Sequence, residues 1–326
     1  MLNSKLSLNE GIFLKTTELD STRAGFGRGL VKAAEKNKKV VVLTGDLRDS
    51  TKVDEFSERF PERFIEAGIS EQNMAGMAAG MALSGKIPVM ASFAAFSPGR
   101  NWEQIRVSIS YSQTNVKIVG THAGLSASSD GGTAQALEDI ALMRVLPGMV
   151  VLNPIDSLET EKAVEAAIKH EGPVYLRCYR EKTPVITTEK TSFKIGEACT
   201  LVEGKDVTIF GSGPITHEAL VAAKELKGKH GISAEVISVS TIKPLDEKTI
   251  LDSIKKTGRG VTLEEHNTLA GFGSAVAEVV STKHPAPILR LGVDDEFGES
   301  GTYEDLKAKH KLKAGQIVEQ VLKFIK

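Results

Sequence analysis

Short apolar runs rich in β-branched residues alternate with helical patterns along most of this 326-residue chain. The runs in the first half are continuously apolar, as expected of strands that are buried on both faces. This alternation predicts parallel sheets with helices on both sides. Strands are predicted at 40–44, 64–69, 88–92, 116–121, 150–153 and 174–177, and helices at 22–37, 70–84, 99–111, 136–144 and 157–170.

A break in the alternation at 181–195 separates two units, because Pro184, threonines and charges there are typical of a linker. We therefore predict an α/β fold of two doubly wound domains, a mostly parallel sheet followed by a smaller α/β domain. The predicted ranges are 1–20 for an N-terminal extension, 21–186 for the first domain, 187–196 for the linker and 197–326 for the second domain. The second domain has predicted strands at 207–211, 234–238, 260–264 and 287–291, and helices at 215–230, 247–257, 271–283 and 314–325.

The composition excludes several classes of protein. A hydrophobic content of 41% and a charged content of 25% are normal for a soluble globular protein. The net charge of −1 argues against nucleic-acid or membrane-surface partners. Cys178 and Cys199 lack metal-ligand spacing and are expected to be reduced. No apolar run approaches the ~20 residues of a membrane span, and residues 1–20 lack an apolar signal region. We expect a cytoplasmic protein.

The segment 66–84 combines a carboxylate with an unusually small helix. Ser70 is the predicted N-cap, and Glu71 falls in the first turn, where the helix dipole favours a negative charge. The helix that follows is rich in alanine and glycine, and each glycine costs roughly 1 kcal/mol there. We therefore expect it to pack closely against another surface. Glu71 is a candidate for chemistry, and the alternative is an ordinary helix-start acid.

Several separated motifs resemble transketolase in order and spacing. They are Gly68-Ile-Ser-Glu71-Gln-Asn, Ala91-Ser-Phe93-Ala-Ala-Phe96, Thr121-His122-Ala-Gly, Asp130-Gly-Gly-Thr-Ala-Gln135, Gly172-Pro173 with Arg180, and Glu264-Glu-His266-Asn. The resemblance covers nearly all of the chain from about Thr22 onward. It is closest to the C-terminal section of split transketolases, in which the pyrimidine-binding and C-terminal domains form one subunit.

The resemblance implies thiamine diphosphate as the cofactor and transfer of a two-carbon ketol unit between sugar phosphates. In that family the glutamate matching Glu71 bonds atom N1′ of the aminopyrimidine ring, and the residues matching Phe93 and Phe96 line the ring, with Phe96 as the stacking face. Stacking of this kind contributes roughly 0.5–1.5 kcal/mol beyond burial. Without the resemblance, the better interpretation of both phenylalanines is an ordinary core, and only their register with the family favours a pocket. The family's usual tyrosine is Gly99 here.

The resemblance also implies a phosphate site. Its residues are Arg23, Ser50, His122 and Arg180. Arginine suits this role because its guanidinium donates two parallel, charge-assisted hydrogen bonds to phosphate. The alternatives are a solvated first-turn arginine, a turn serine and a strand-end histidine, and Arg177 competes with Arg180.

Asp130 matches a family aspartate that bonds a substrate hydroxyl, although Asp-Gly-Gly is also a turn signal. Ala134 stands where the family has a substrate-contacting histidine. Because alanine can neither donate a hydrogen bond nor move a proton, two alternatives are open: the donor is a modified ketose, or the partner chain fills the gap.

The family's metal motif, Gly-Asp-Gly with a downstream asparagine, is missing. The nearest string is Thr44-Gly-Asp46-Leu47, and Asp46 is kept as a candidate for cofactor binding. The diphosphate and its Mg²⁺ or Ca²⁺ are therefore expected on a partner, the N-terminal section subunit, with no metal ligand in this chain. We expect an α₂β₂ assembly with active sites at its interfaces.

The leading hypothesis is thus one subunit of a two-chain transketolase. The alternatives are the β subunit of a 2-oxoacid dehydrogenase, a deoxyxylulose-phosphate-synthase-like enzyme, and a non-catalytic partner of a thiamine enzyme. We assign the second domain a role in dimerisation and stability, with His266 capping a strand end.

Overall fold

The computed structural model describes residues 2–14 and 16–326. It contains two large sheets flanked by helices, which confirms the predicted α/β class with a mostly parallel first sheet. The strands are β1 (Leu19–Asp20), β2 (Val40–Thr44), β3 (Phe64–Glu66), β4 (Ile87–Phe93), β5 (Lys117–Thr121), β6 (Val150–Leu152), β7 (Val174–Arg177), β8 (Thr183–Pro184), β9 (Cys199–Val202), β10 (Val207–Gly211), β11 (Ala234–Ser238), β12 (Thr241–Lys243), β13 (Gly260–Asn267) and β14 (Ile288–Val293).

Helices connect the strands and flank both sheets. The α-helices are α1 (Thr22–Lys36), α2 (Asp54–Arg59), α3 (Glu71–Leu83), α4 (Trp102–Gln104), α5 (Asp139–Arg144), α6 (Ser157–Lys169), α7 (Thr216–His230), α8 (Glu247–Thr257), α9 (Phe272–Lys283), α10 (Tyr303–Lys309) and α11 (Ala314–Ile325). No helix of the described residues is long and apolar enough to cross a membrane.

The larger sheet has seven strands in the order β12-β6-β7-β5-β4-β2-β3. All neighbouring pairs are parallel except the β12–β6 edge pair. Every residue of β2 is buried, as the continuous apolar run predicts, because helices cover both faces. The smaller sheet has the order β14-β13-β10-β11-β9, with β9 antiparallel at its edge.

Strand β12 differs from the sequence-based division of the chain. It lies in the second half of the sequence, yet it pairs with β6 of the first sheet. Sequence patterns did not predict β12 or β9, since each has only three or four residues. The two halves therefore share a sheet edge and are held together by backbone hydrogen bonds as well as by side chains.

The predicted N-terminal extension packs against the second half of the chain, and Met1 and Lys15 within it lie outside the described residues. Leu2 forms a β-bridge with Val202, and Asn3 N donates a hydrogen bond to Leu201 O. Ile12 is buried, and its carbonyl bonds the imidazole of His217. This segment is thus a strap across the second sheet's domain.

The predicted helix at 99–111 is not a regular α-helix. The short α4 is followed by a π-helix over Ile105–Tyr111. Pro98, in a cis peptide bond, and Gly99 precede this element, and both disfavour regular helix. Single-turn π segments are frequent at functional sites, and this one packs beside α3.

Candidate active site

The candidate residues converge at the carboxyl edge of the seven-stranded sheet, that is, where its parallel strands end. Glu71 follows β3, Phe96 follows β4, His122 follows β5 and Arg180 follows β7. These strands lie in the same parallel sheet, so their carboxyl ends meet at one edge, where ligands bind in open α/β sheets. Arg23 reaches the same edge from the first turn of α1, since Thr22 Oγ1 accepts a hydrogen bond from Tyr179 N.

Glu71 begins α3 and is almost completely buried, with 2% of its surface exposed. Its Oε2 accepts a hydrogen bond of 3.0 Å from Arg100 Nη1, and its backbone carbonyl accepts one from Asn101 Nδ2. The carboxylate is thus held from the loop after β4. Arg100 was not among the residues chosen from the sequence, and its only signal there is its position four residues after Phe96.

Ser70 does not cap α3 through its side chain, contrary to the prediction. Its hydroxyl donates to Ala67 O instead, within the tight turn that leads into the helix. Gly68 has φ +69 in this turn, a conformation that favours glycine. A side chain on Gly45 would meet Gly68 O at 2.8 Å, so the loop after β2 and this turn approach closely. The Ser70 hydroxyl therefore stabilises the turn that directs the chain toward Glu71.

Phe93 and Phe96 form a stacked pair that is half-buried. Their ring centroids are 5.6 Å apart with planes inclined by 14°. Phe93 also stacks on the imidazole of His122, with centroids 3.7 Å apart. The Arg100 guanidinium lies over the Phe96 ring at 4.8 Å. The structure thus joins the carboxylate, the two phenylalanines and His122 into one continuous group.

His122 is buried in the left-handed backbone region, with φ +55. Burial, with Arg23 and Arg180 nearby, lowers the pKa of His122 to about 3, so the imidazole is neutral. Arg23 Nη1 lies 3.4 Å from Nε2 and can only donate, which leaves the ring proton on Nδ1. Nδ1 then donates to Thr121 Oγ1 at 3.0 Å, and that hydroxyl donates to Ser92 O. The ring is bonded on both nitrogens rather than satisfied by backbone alone.

Arg23 is half-buried between two other candidates. Its Nη1 donates to the backbone carbonyl of Ser50 at 2.9 Å and also faces His122. Burial and the nearby charge of Arg180 lower the pKa of Arg23. Arg23 and Arg180 therefore face the same region beside His122. Ser50 reaches this group through its carbonyl, and its hydroxyl has no hydrogen bond within the described residues.

Arg180 and Asp130 form an ion pair of 3.1 Å, and both side chains are about one-third exposed. Arg177, the competing arginine, is fully buried. It bonds Asp139, the Ala136 and Glu265 carbonyls and Tyr179 within the chain. Arg177 is therefore a structural residue at the junction of the two halves, and Arg180 is the arginine that is open to a ligand.

The loop that carries Asp130 is covered by a segment of the second domain, which the sequence did not indicate. Gln135 Nε2 donates to Ser128 O and to Glu299 O at 2.9 Å. A side chain on Gly131 would meet Ser300 Oγ at 2.6 Å, and one on Gly132 would clash with Gly298 O. Ala134 lies in this loop and is buried. The second domain therefore fixes the loop that carries Asp130.

Two further candidates lie outside this group. Asp46 is exposed with φ +61, and its side chain makes no hydrogen bond among the described residues. His266 is the penultimate residue of β13; its Nδ1 bonds the carbonyl of Asn267, the last residue of that strand, and its Nε2 accepts a hydrogen bond from Ala141 N in α5. Across residues 2–14 and 16–326 no cluster of three or more His, Cys, Asp or Glu side chains could hold a metal.

Comparison with known proteins agrees with this architecture. Residues 20–185 match the family model of the transketolase pyrimidine binding domain, and residues 196–317 match that of the transketolase C-terminal domain. The chain thus has a pyrimidine-binding domain followed by a C-terminal domain of the transketolase type.

Three relatives define the family more closely. The chain is 44% identical to the 6-deoxy-6-sulfo-D-fructose transketolase subunit SqwH of Clostridium sp., over 89% of each chain. It is 36% identical to an apulose-4-phosphate transketolase subunit from Phocaeicola vulgatus, over 93% of this chain and 97% of that one. A solved split gene transketolase, an inactive beta4 tetramer, superposes with a TM-score of 0.87 at 46% identity, over 93% of this chain and 97% of that chain. The chain belongs to the transketolase family, as a transketolase-type subunit.

Proposed function

We propose that this chain supplies the pyrimidine side of the active site in a two-chain, thiamine diphosphate-dependent transketolase. The observation that carries the proposal is the buried Glu71 carboxylate beside the stacked Phe93 and Phe96 rings, at the carboxyl edge of the sheet. A non-catalytic partner would have no need for a buried carboxylate beside an aromatic face.

The donor set fits one half of this cofactor. A carboxylate can bond a ring nitrogen, and the phenyl rings offer a flat apolar face to an aminopyrimidine. We propose that another chain binds the diphosphate and its Mg²⁺ or Ca²⁺, because this sequence lacks the family's Gly-Asp-Gly metal motif. Family members use thiamine diphosphate, which when bound supplies the carbon nucleophile that carries the two-carbon unit. Glu71 would hold a proton at N1′, and Phe96 would orient the ring.

The substrate side has the chemistry of an anion site. Arg23, Arg180 and the neutral His122 lie together, and charge-assisted hydrogen bonds from arginine suit a terminal phosphate or sulfonate. Asp130, already paired with Arg180, would accept a hydrogen bond from a substrate hydroxyl. With Ala134 in place of the family histidine, we propose a terminally anionic ketose as donor, either a sugar phosphate of the pentose phosphate type or a modified ketose. The SqwH relative, named for a sulfosugar, supports including the second class.

We propose the diphosphate-binding N-terminal section as the partner, in an α₂β₂ heterotetramer. One face of α3 supports a close contact, since side chains on Gly76 or Gly80 would meet nothing within 4 Å. Ile69 and Leu83 at the ends of this face are 73% and 78% exposed. A helix with small residues and apolar ends allows another chain's backbone to approach closely.

Co-purification with the diphosphate-binding chain, followed by a panel of ketose donors, tests the proposal. We expect no ketol transfer by this chain alone with thiamine diphosphate and Mg²⁺, and transfer by the complex from an anionic ketose. In the complex, Glu71→Gln should reduce turnover by roughly 10²-fold or more, whereas the exposed neighbour Gln72→Ala should not.

Turnover by the isolated chain would refute the divided site, and wild-type rates with Glu71→Gln would refute the role of Glu71. Turnover of a 2-oxoacid, or of pyruvate with an aldose phosphate, would instead favour the dehydrogenase or the deoxyxylulose-phosphate-synthase-like alternative.

A further inference from the structure

Arg100 contacts both groups that the proposed function assigns to the aminopyrimidine. Its Nη1 donates to Glu71 Oε2 at 3.0 Å, and its guanidinium lies over the Phe96 ring at 4.8 Å. Within the described residues, Arg100 is the one side chain that donates a hydrogen bond to the Glu71 carboxylate. The Arg100 side chain thus occupies both the Glu71 carboxylate and one face of the Phe96 ring.

The chemistry of a guanidinium resembles that of the ring it contacts. Both are planar and delocalised and stack on aromatic faces, and a ring protonated at N1′ donates an N–H to a carboxylate as a guanidinium does. A buried carboxylate without a partner would be unfavourable, so a donor at this position stabilises the chain before any ligand arrives. Arg100 satisfies the carboxylate in the same way that the cofactor ring would.

The exposures indicate which partner can leave. The Glu71 side chain is 1% exposed, whereas that of Arg100 is 50% exposed. Phe93, the other neighbour of the Phe96 ring, is fixed by its stacking on His122 at 3.7 Å. Arg100 is therefore the group that can rotate into solvent with little change in the surrounding packing.

We propose that Arg100 is a positioning residue that acts as an internal substitute for the aminopyrimidine. It keeps Glu71 paired and Phe96 covered in the cofactor-free subunit, and it swings away when the ring binds. This inference rests on the proposed function, because it takes Glu71 and Phe96 as the cofactor's contacts. Its consequence is that the wild-type arginine competes with the cofactor and weakens its apparent affinity.

The test measures thiamine diphosphate binding calorimetrically, with Mg²⁺ present, to the reconstituted two-chain complex. Arg100→Met keeps an unbranched apolar stem against Phe96 but cannot donate to Glu71. We expect it to lower the Kd about tenfold, with Arg100→Lys, which retains a donor, closer to wild type. The matched control is Arg59→Met, because Arg59 also pairs with glutamates and lies 5.5 Å from a phenyl ring, on α2. Arg59→Met should leave the Kd for thiamine diphosphate unchanged.

The Glu71→Gln background separates this inference from the proposed function. If Arg100 competes with the cofactor for the Glu71 carboxylate, Arg100→Met should lower the Kd by a smaller factor when Glu71 is already replaced by glutamine. An unchanged or raised Kd in a folded Arg100→Met complex, checked by its circular dichroism, would overturn the substitution role even if Glu71→Gln abolishes turnover. Wild-type turnover and Kd with Glu71→Gln would instead refute the site assignment itself.

Discussion

The imidazole of His122 stacks on the phenyl ring of Phe93, with centroids 3.7 Å apart and planes inclined by 24°. This contact links the arginine-lined side of the site to the aromatic side. Because Phe93 is also stacked on Phe96, a change in the anion site can reach the surface proposed for the cofactor ring through two ring contacts. The two halves of the proposed chemistry are thus physically continuous in this chain.

His122 should make the chain sensitive to acid. Its pKa is about 3 in the fold against an ordinary value of 6.5, so the unfolded state binds more protons between these values. The contribution of His122 to stability is therefore fully present above about pH 6.5 and is lost as the pH decreases toward 3. In urea titrations, His122→Asn should flatten the fall in unfolding free energy from pH 7 to pH 4. His230→Asn, on the exposed end of α7, is the control, and equal slopes in both variants would contradict the prediction.

The two competing arginines should respond differently to the same change. Arg177→Met leaves Asp139 charged and buried without its partner, and we expect a loss of about 3–5 kcal/mol in unfolding free energy. Arg180→Met, at an exposed pair, should change stability by no more than about 0.5 kcal/mol. In the active complex it should raise the KM for an anionic ketose roughly tenfold or more, because a charge-assisted hydrogen bond is lost. Steady-state kinetics of the complex and thermal unfolding of both variants together separate the structural role of Arg177 from the ligand-binding role of Arg180. A normal KM with Arg180→Met would exclude Arg180 from the anion site.

The second domain should influence the substrate loop through Gly298. A side chain there would clash with Gln135 Oε1, and Gln135 is buried and bonded to Ser128 O and Glu299 O. Gly298→Ala should therefore cost about 1–3 kcal/mol and raise the donor KM of the complex. Gly228→Ala, in α7 with open space around it, should stabilise the chain by about 0.5–1 kcal/mol. If Gly298→Ala changes stability but leaves the KM unaltered, the segment has only a structural role.

The open face of α3 should matter for assembly and not for folding. Gly76→Leu adds a side chain where nothing lies within 4 Å and removes the helix penalty of glycine, so the isolated chain should gain up to about 1 kcal/mol. The Kd for association with the diphosphate-binding chain, measured by sedimentation, should rise at least tenfold. Gly228→Leu, on an equally open helix position, should leave association unchanged. Unaltered association of Gly76→Leu would place the interface elsewhere.

Much of the fold followed from local patterns. Strands β2, β7, β10 and β11 begin and end at the predicted residues, because each is a short run rich in apolar residues. Short edge strands such as β12 were missed, since three residues carry too little periodicity and the pairing with β6 depends on a distant segment. The π-helix over Ile105–Tyr111 was predicted as an ordinary α-helix, because the spacing of apolar residues is similar in α- and π-helices.

The sequence by itself determined the alternating α/β order, the family, and the residues Glu71, Phe93, Phe96, His122 and Arg23 as candidates, because motifs of fixed spacing survive without knowledge of packing. Only the tertiary structure decided which arginine is open to a ligand, that Ser70 supports a turn instead of capping α3, and that the second domain covers the Asp130 loop. It also decided that Arg100 meets Glu71. These relationships join side chains from elements far apart in sequence, and their distances, burial and charge environment exist only once the sheet edge has assembled.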